Sequence, residues 1–135
     1  MKQITPLHRA RLTLARSYID RHYDQPLTLD HLSQTAGFSP YHFIRLFHAA
    51  YRQTPHQYLI QRRIDQAKDL LGASDLPIQD ICVEVGFESL GSFSTLFRRV
   101  TGLTPGAYRR SKQRRARRDH IPLCHSYMHG LNDEV

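Results

Sequence analysis

The chain is 135 residues long and 40% hydrophobic, which allows one small domain with a packed core and excludes a disordered chain. No apolar run approaches the roughly 18 residues that span a bilayer, and the first residues lack the apolar stretch of a secretory signal. Two cysteines are too few for a disulfide scaffold. We therefore expect a protein of the reducing cytoplasm, without membrane contact.

The formal charge of +7 is concentrated in one segment. Residues 109–118 hold seven of the 19 basic residues and no acidic one, so the rest of the chain has twelve basic residues against twelve acidic ones. Such a run attracts polyanions, of which nucleic acid is the commonest inside a cell. A solvated tail without a specific partner would carry the same charge, so composition alone leaves both interpretations open.

A repeat organises the sequence. Eight residues recur in the same order, with an offset of 49 at the Gly-Phe pair and 50 thereafter, which places one extra residue after the second Gly-Phe. The two copies contain Gly37-Phe38, Phe43, Leu46-Phe47, Thr54-Pro55 and Tyr58, and Gly86-Phe87, Phe93, Leu96-Phe97, Thr104-Pro105 and Tyr108. Composition does not explain this match, so we infer a duplicated structural unit.

Helical periodicity and helix start signals predict about seven helices. In chain order they cover about residues 8–23, 28–37, 39–50, 54–71, 77–85 and 89–100, and a last one runs from 104 into the basic segment. Ser39-Pro40 and Thr54-Pro55 each combine an N-cap residue with a proline at the first helical position. Gly37 and Gly72 are expected to end helices. No strand-like alternation persists for five residues, so the predicted fold class is all-α.

Each unit consists of a short helix, a glycine turn and a second amphipathic helix, the arrangement of a DNA-binding helix-turn-helix pair. In the first unit, one face of the second helix carries Tyr41, Arg45, His48 and Arg52, opposite the apolar face. An arginine can bind guanine bidentately, and a tyrosine can donate to a base or pack on a thymine methyl. A single amphipathic helix often shows an ordinary solvated face instead, but the duplication and the start signals argue against that alternative.

The corresponding face of the second unit is chemically different. It carries Gly91, Thr95, Arg98 and Gly102, flanked by Leu90, Ser92 and Ser94. Short hydroxyl side chains can bind phosphate or an occasional base, but none supplies a bidentate contact. We therefore predict that the first unit carries most of the base readout, while the second contributes mainly backbone contacts, with Arg98 and Arg99 on phosphate.

Together these motifs resemble the DNA-binding domain of AraC/XylS-type bacterial transcription regulators, over about residues 8–110. The resemblance rests on motifs that include Leu27-Thr28-Leu29, Gly37-Phe38-Ser39, Arg62-Arg63, Val85-Gly86-Phe87-Glu88-Ser89 and Tyr108-Arg109. It implies two helix-turn-helix subdomains, 8–54 and 73–110, a rigid linker helix at 55–72, and a basic C-terminal extension at 111–135. The two recognition helices would enter successive major grooves about one turn (~34 Å) apart.

The resemblance also implies a set of contact residues and partners. Base-reading positions fall at Tyr41, His42, Ile44 and Arg45 in the first unit, and at Leu90, Gly91, Ser92, Ser94 and Thr95 in the second. Phosphate contacts are expected from His48, Arg52, Arg98, Arg99, Arg109 and Arg110. Neither flank is long enough to enclose a ligand. We therefore expect a stand-alone regulator in the bacterial cytoplasm, at the nucleoid, that binds asymmetric double-stranded promoter DNA as a monomer and contacts RNA polymerase.

Other residue types give weaker signals. Cys82 is predicted to be a buried, inert thiol. Four residues near the C terminus have spacings that a helix could place on common faces for a metal: His120, Cys124, His125 and His129. Pro122 would break such a helix and no zinc-finger spacing appears, so no metal site is predicted.

The sequence motifs favour some functional classes of protein over others. The histidines are scattered, and there is no glycine-rich phosphate loop or useful pair of carboxylates, so neither an enzyme nor a cofactor is predicted. Two alternatives to a regulator stay open: a nonspecific nucleic-acid binder, and a protein-binding module that titrates another regulator. The basic segment suits all three, whereas the face with Tyr41 and Arg45 favours a sequence-specific regulator.

Overall fold

The computed structural model describes residues 4–119, and this part of the chain contains seven helices and no strand. The helices are α1 Pro6–His22, α2 Leu29–Ala36, α3 Pro40–Tyr51, α4 Pro55–Ala73, α5 Ile78–Glu84, α6 Leu90–Thr101 and α7 Pro105–Asp119. The prediction of an all-α fold, with two helix-turn-helix pairs joined by a long helix, is confirmed. The pairs are α2 with α3 and α5 with α6.

Hydroxyl side chains determine where most helices begin. The N-cap side chains of Thr5, Thr28, Ser39, Thr54 and Ser89 each accept a hydrogen bond from the backbone N–H three residues later. α1 therefore begins at Pro6, two residues before its predicted start, because Thr5-Pro6 is the same signal as Thr54-Pro55.

The prediction that Gly72 ends the long helix is wrong. α4 continues to Ala73, and Ser74 is its C-cap residue, with the Ser74 N–H donating to the Leu70 carbonyl. Gly72 lies where α7 crosses α4, and a Cβ at this position would be 3.7 Å from Cγ of Lys112. This is an ordinary van der Waals distance, so a side chain would fit here, and Gly72 lies within α4 without ending it.

α4 contributes to two separate hydrophobic cores. Leu59 belongs to the first core, under α1, α2 and α3, whereas Ile64, Ala67 and Leu71 belong to the second, under α5 and α6. The helix packs against α1, α3, α5, α6 and α7. The two units are thus built on opposite ends of one continuous helix.

The duplicated residues occupy equivalent places in the two cores. Phe43 and Phe47 are fully buried, with ring centroids 5.6 Å apart, and Phe93 and Phe97 are fully buried at 5.7 Å. The extra residue of the second copy is Glu88, which lengthens the turn before α6 by one position. The residues that recur in the sequence therefore pack in the same way in the two cores.

Left-handed residues end several of these helices. Gly37 ends α2 with φ 81°, and Gly102 ends α6 with φ 84°. The position equivalent to Gly102 in the first unit is Arg52, which ends α3 with φ 62°. Arginine adopts this conformation less readily than glycine, because its Cβ crowds the backbone.

Candidate nucleic-acid interface

The outer face of α3 is a row of exposed polar and aromatic side chains. Ser39 caps the helix and Pro40 begins it, so the helix starts at the surface, and its apolar side is fixed on the core by Phe43 and Phe47. On the opposite side Tyr41 is 70% exposed, and Arg45, His48 and Arg52 are exposed as well. The structure thus brings together the four residues that the sequence predicted for this face.

Tyr41 and Arg45 form a pair one helical turn apart. Nη1 of Arg45 donates a hydrogen bond of 2.9 Å to Oη of Tyr41, and the guanidinium carbon lies 5.5 Å from the tyrosine ring centroid. This contact uses one of the five guanidinium N–H groups and favours one orientation of the side chain. Arg45 is exposed, and the other four N–H groups of its guanidinium exceed the two that a guanine edge requires.

His42 and Ile44 lie deeper than their neighbours on α3. The His42 ring packs near His8 and Phe38, with centroids 5.9 Å and 5.3 Å away. Ile44 is half-buried and lines a cavity of about 310 Å³ between α2, α3 and the start of α4, next to Leu29. The role of His42 and Ile44 in base reading stays a prediction, and their packing gives both a structural role in the first unit.

The outer face of α6 is exposed and carries mostly short side chains. Leu90 is 43% exposed, Gly91, Ser92 and Thr95 are exposed, and Ser94 is half-buried. A Cβ at Gly91 would meet nothing within 4 Å. The face offers hydroxyl groups and a small apolar surface, so it can approach a DNA backbone closely but supplies no forked donor.

The arginines predicted to contact phosphate differ in how exposed their guanidinium groups are. Arg98, Arg99 and Arg110 are exposed. Arg109 is half-buried, and its guanidinium donates to the carbonyls of Leu71 at 3.2 Å and Ser74 at 3.1 Å, at the C-terminal end of α4. Arg109 therefore ties α7 to α4, and its contact with phosphate stays a prediction.

The second helix of each helix-turn-helix pair lies within a stretch of sequence that contains no acidic residue. Residues 31–64, which include α3, contain no Asp or Glu, and neither do residues 89–118, which include α6 and nearly all of α7. The two acid-free stretches can be read directly from the sequence. A surface without carboxylates avoids the repulsion that phosphate groups would meet.

The other sites considered from the sequence have different outcomes. Cys82 is 2% exposed, so the prediction that it is buried is confirmed; burial raises the pKa of its thiol, which supports the prediction that the thiol is inert. Residues 4–119 hold no group of three His, Cys, Asp or Glu side chains suited to a metal ion. The candidate ligands near the C terminus, such as His125, lie outside the described residues. Within the described part, no helix is long and apolar enough to cross a membrane.

Comparisons with known proteins identify the family. A family profile described as a helix-turn-helix domain matches residues 32–111. The regulatory protein SoxS of Escherichia coli is 38% identical over 93 residues, which are 69% of this chain and 87% of SoxS. A transcriptional regulator with an AraC-type DNA-binding domain from Chromobacterium violaceum is 27% identical and has a TM-score of 0.71, covering 84% of this chain and 96% of that one. The chain belongs to the AraC/XylS family.

This AraC/XylS member also resembles a domain that has been solved on DNA. The DNA-binding domain of the global transcriptional factor AdpA, in complex with a target DNA, is 31% identical with a TM-score of 0.75, and the match covers 82% of this chain and 97% of that domain. The chain spans 41% and 33% of the length of two longer relatives, which are also transcriptional regulators. The AraC/XylS family is one of DNA-binding regulators rather than of enzymes.

Proposed function

We propose that this AraC/XylS member regulates transcription by binding promoter DNA as a monomer, with α3 and α6 in successive major grooves about one helical turn (~34 Å) apart. Its DNA-binding domain would be residues 8–110, with subdomains 8–54 and 73–110 and a linker at 55–72. It would act in the bacterial cytoplasm, at the nucleoid, and contact RNA polymerase. The AdpA domain, which has this fold and is bound to DNA, supports the proposal.

The observation that carries the proposal is the preorganised Tyr41–Arg45 pair. A bare cation on a flexible side chain attracts any phosphate, whereas a guanidinium held at 2.9 Å by a neighbouring hydroxyl has a defined direction. Direction is what base readout requires, because the two acceptors on a guanine edge have a fixed geometry. In this proposal Arg45 reads a guanine and Tyr41 packs on the neighbouring base.

The second unit has a different part in the proposal. Ser92, Ser94 and Thr95 lie on α6 where a close backbone or an occasional base can be contacted, and Leu90 offers an apolar surface to a thymine methyl. The phosphate ligands would be His48, Arg52, Arg98, Arg99, Arg109 and Arg110. The second unit would then add affinity and fix the orientation of the protein, with less base discrimination than the first.

The first test is selection of bound fragments from a sheared bacterial genomic library, at moderate salt and with excess nonspecific competitor. An asymmetric motif that spans about two helical turns is the expected result. No enriched motif, together with binding that is lost uniformly as salt rises, would favour the nonspecific binder. Weak binding to every fragment, together with a stable complex with another regulator, would favour the titrating module.

The variant Arg45→Lys separates charge from direction. Lysine keeps the positive charge at position 45 but loses the planar fork, so the dependence of affinity on salt should stay close to that of the wild type. The better-defined half of the motif should disappear from the selected fragments. A motif that survives unchanged in Arg45→Lys would show that Arg45 binds only phosphate, and the proposed readout would have to be abandoned.

A further inference from the structure

The end of α1 contacts both halves of the molecule. Tyr23 is the C-cap residue of α1, in the first unit, and its half-buried ring packs against buried residues of the first core and of the second core. The guanidinium carbon of Arg62, on α4, lies 5.1 Å from the centroid of the Tyr23 ring. The segment that follows α1 is therefore placed where the two units meet.

Arg63 ties this segment to both units. Its Nε donates to the carbonyl of Tyr23 at 2.6 Å, and its Nη2 donates to the carbonyl of Gln25 at 2.9 Å. The same guanidinium lies 5.6 Å from the ring centroid of Phe87, a buried residue of the second core. One side chain on α4 thus holds the backbone of the first unit and stacks on the second.

Gly86 completes the contact from the other side. Its φ is 100°, and a Cβ at this position would lie 3.0 Å from Cα of Asp24, 3.0 Å from the Tyr23 carbonyl oxygen and 3.1 Å from Nε of Arg63. The turn before α6 therefore touches the backbone after α1 so closely that no side chain fits between them. Gly102 provides a contrast, because its φ is also left-handed, at 84°, but a Cβ there would meet nothing within 4 Å.

We propose that Arg63, Gly86 and the backbone of residues 23–25 form a clamp that sets the spacing between the two DNA half-sites this protein accepts. Without this clamp, the two cores would be joined only by α4, a single helix that can bend and twist over its length. The clamp adds a second connection away from the α4 axis, and two separated connections resist rotation of one unit against the other. Arg63 and Gly86 are positioning residues in this role. They determine the spacing between two major grooves that α3 and α6 can occupy at the same time.

The consequence for DNA binding rests on the proposed two-groove function. Adding or removing one base pair between the half-sites shifts them by about 3.4 Å and rotates them by about 35°. A rigid pair of units should lose about tenfold or more in affinity on such DNA. In Gly86→Ala and Arg63→Met this loss should fall to about threefold or less, because two units that are less rigidly connected can adjust to the changed spacing. The affinity of both variants for DNA with the optimal spacing should decrease.

Two matched variants distinguish the clamp from general loss of stability. Gly102→Ala introduces the same left-handed strain at a position where a Cβ would meet nothing within 4 Å, and Arg16→Met removes an arginine whose guanidinium carbon lies 4.6 Å from the ring centroid of Tyr51, within the first unit. Both should keep the tenfold spacing preference of the wild type. An unchanged spacing preference in folded Arg63→Met would overturn the proposal, even if Gly86→Ala does not fold.

A second measurement tests the clamp without DNA. Spin labels at Ala49→Cys on α3 and Val100→Cys on α6, in the full chain with Cys124→Ser, report the distance between the two units by double electron–electron resonance. The distribution should be narrow in this background and with Gly102→Ala, and broader or shifted with Arg63→Met. A broad distribution without a spacing preference in the wild type would defeat the two-groove function, whereas a narrow distribution in every variant would defeat the clamp alone.

Discussion

The second helix of each unit rests on an equivalent pair of phenylalanines but carries different side chains on its outer face. The ring centroids are 5.6 Å apart in the first unit and 5.7 Å apart in the second. Above the first pair stand Tyr41 and Arg45, joined by a hydrogen bond, and above the second stand Gly91 and Thr95. Close packing requires similar residues in the two cores, whereas it leaves the outer faces free to differ. Any difference between the DNA contacts of the two units therefore comes from the outer faces.

The first helices of the two pairs differ as well. α2 has a hydroxyl N-cap, Thr28, and a glycine C-cap in the left-handed conformation. α5 is one residue shorter, begins after Pro77 without a side-chain cap, and depends on the burial of Ile81 and Cys82. Local signals therefore define the first pair more strongly, whereas the second relies more on tertiary packing.

Deleting a core ring should have the largest effect and should be equal in the two units. Phe43→Ala and Phe93→Ala each remove a fully buried ring with an aromatic neighbour, and each should lower the free energy of unfolding by about 3–5 kcal/mol. Urea unfolding monitored by circular dichroism measures both. A difference well above 1 kcal/mol between the two variants would show that the cores are not energetically equivalent, or that the units unfold separately.

Changing the outer faces should have a smaller and unequal effect. Arg45→Ala should cost about 1–3 kcal/mol of discrimination at one base position, whereas Thr95→Ala should cost well under about 1 kcal/mol. Affinities for a set of single-base variants of the selected site, measured at one salt concentration, give both values. If the two substitutions flatten base preference to the same extent, the proposed division of labour between the units is wrong.

Removing the helix caps should have a modest effect, again equal in the two units. Oγ of Ser39 accepts from the N–H of His42, and Oγ of Ser89 accepts from the N–H of Ser92. Ser39→Ala and Ser89→Ala should each lower the free energy of unfolding by about 1 kcal/mol. Thermal unfolding of the two variants side by side, with Ser39→Asp and Ser89→Asp as conservative controls, tests this prediction. If only one of the two alanine variants is less stable than the wild type, the cap removed in the other variant does not contribute to stability.

The smallest effect depends on pH and belongs to the first unit. Oη of Tyr58 donates a 2.6 Å hydrogen bond to Oδ1 of Asp20, and partial burial together with this carboxylate raises the pKa of Tyr58 to about 12. Since the unfolded pKa is near 10, the stabilisation is complete below pH 10 and is lost as the pH rises towards 12. The difference in stability between the wild type and Tyr58→Phe should therefore shrink over this range.

The equivalent tyrosine of the second unit is the control for that experiment. Tyr108 packs on Phe97 with ring centroids 5.5 Å apart, as Tyr58 packs on Phe47 at 5.9 Å. No hydrogen bond from Tyr108 to a carboxylate is described. A stability difference between the wild type and Tyr108→Phe that changes with pH as much as for Tyr58→Phe would mean that general alkaline unfolding is being measured.

Local signals in the sequence predicted most of the fold. Hydroxyl-proline pairs such as Thr54-Pro55 specify a cap and a first helical residue within two positions, so helix starts can be found without knowledge of the rest of the chain. The spacing of four between Tyr41 and Arg45 likewise places them on one face. The predicted end of α4 at Gly72 is wrong, because a glycine within a helix looks the same in sequence as a glycine that ends a helix.

The clamp could not be predicted in the same way. Arg63 donates to carbonyls that are 40 and 38 residues earlier in the chain, and no periodicity or spacing records a contact between an arginine and a distant backbone. Gly86 was expected to form a turn, but the backbone of Asp24 against it depends on how two units pack together. Tertiary contacts to main-chain atoms leave no residue pattern, because every residue has a carbonyl.

Arg52 combines a left-handed backbone with a cation at the end of α3, and in the proposed function this cation contacts phosphate. Its φ of 62° suits glycine better, and the second unit has glycine at the equivalent position, residue 102. A laboratory selection for thermal tolerance alone should therefore replace Arg52 early, and, under the proposed phosphate contact of Arg52, the selected variants should be more stable and bind DNA more weakly. Engineers who use this domain as a scaffold should protect position 52 from consensus-style stabilisation.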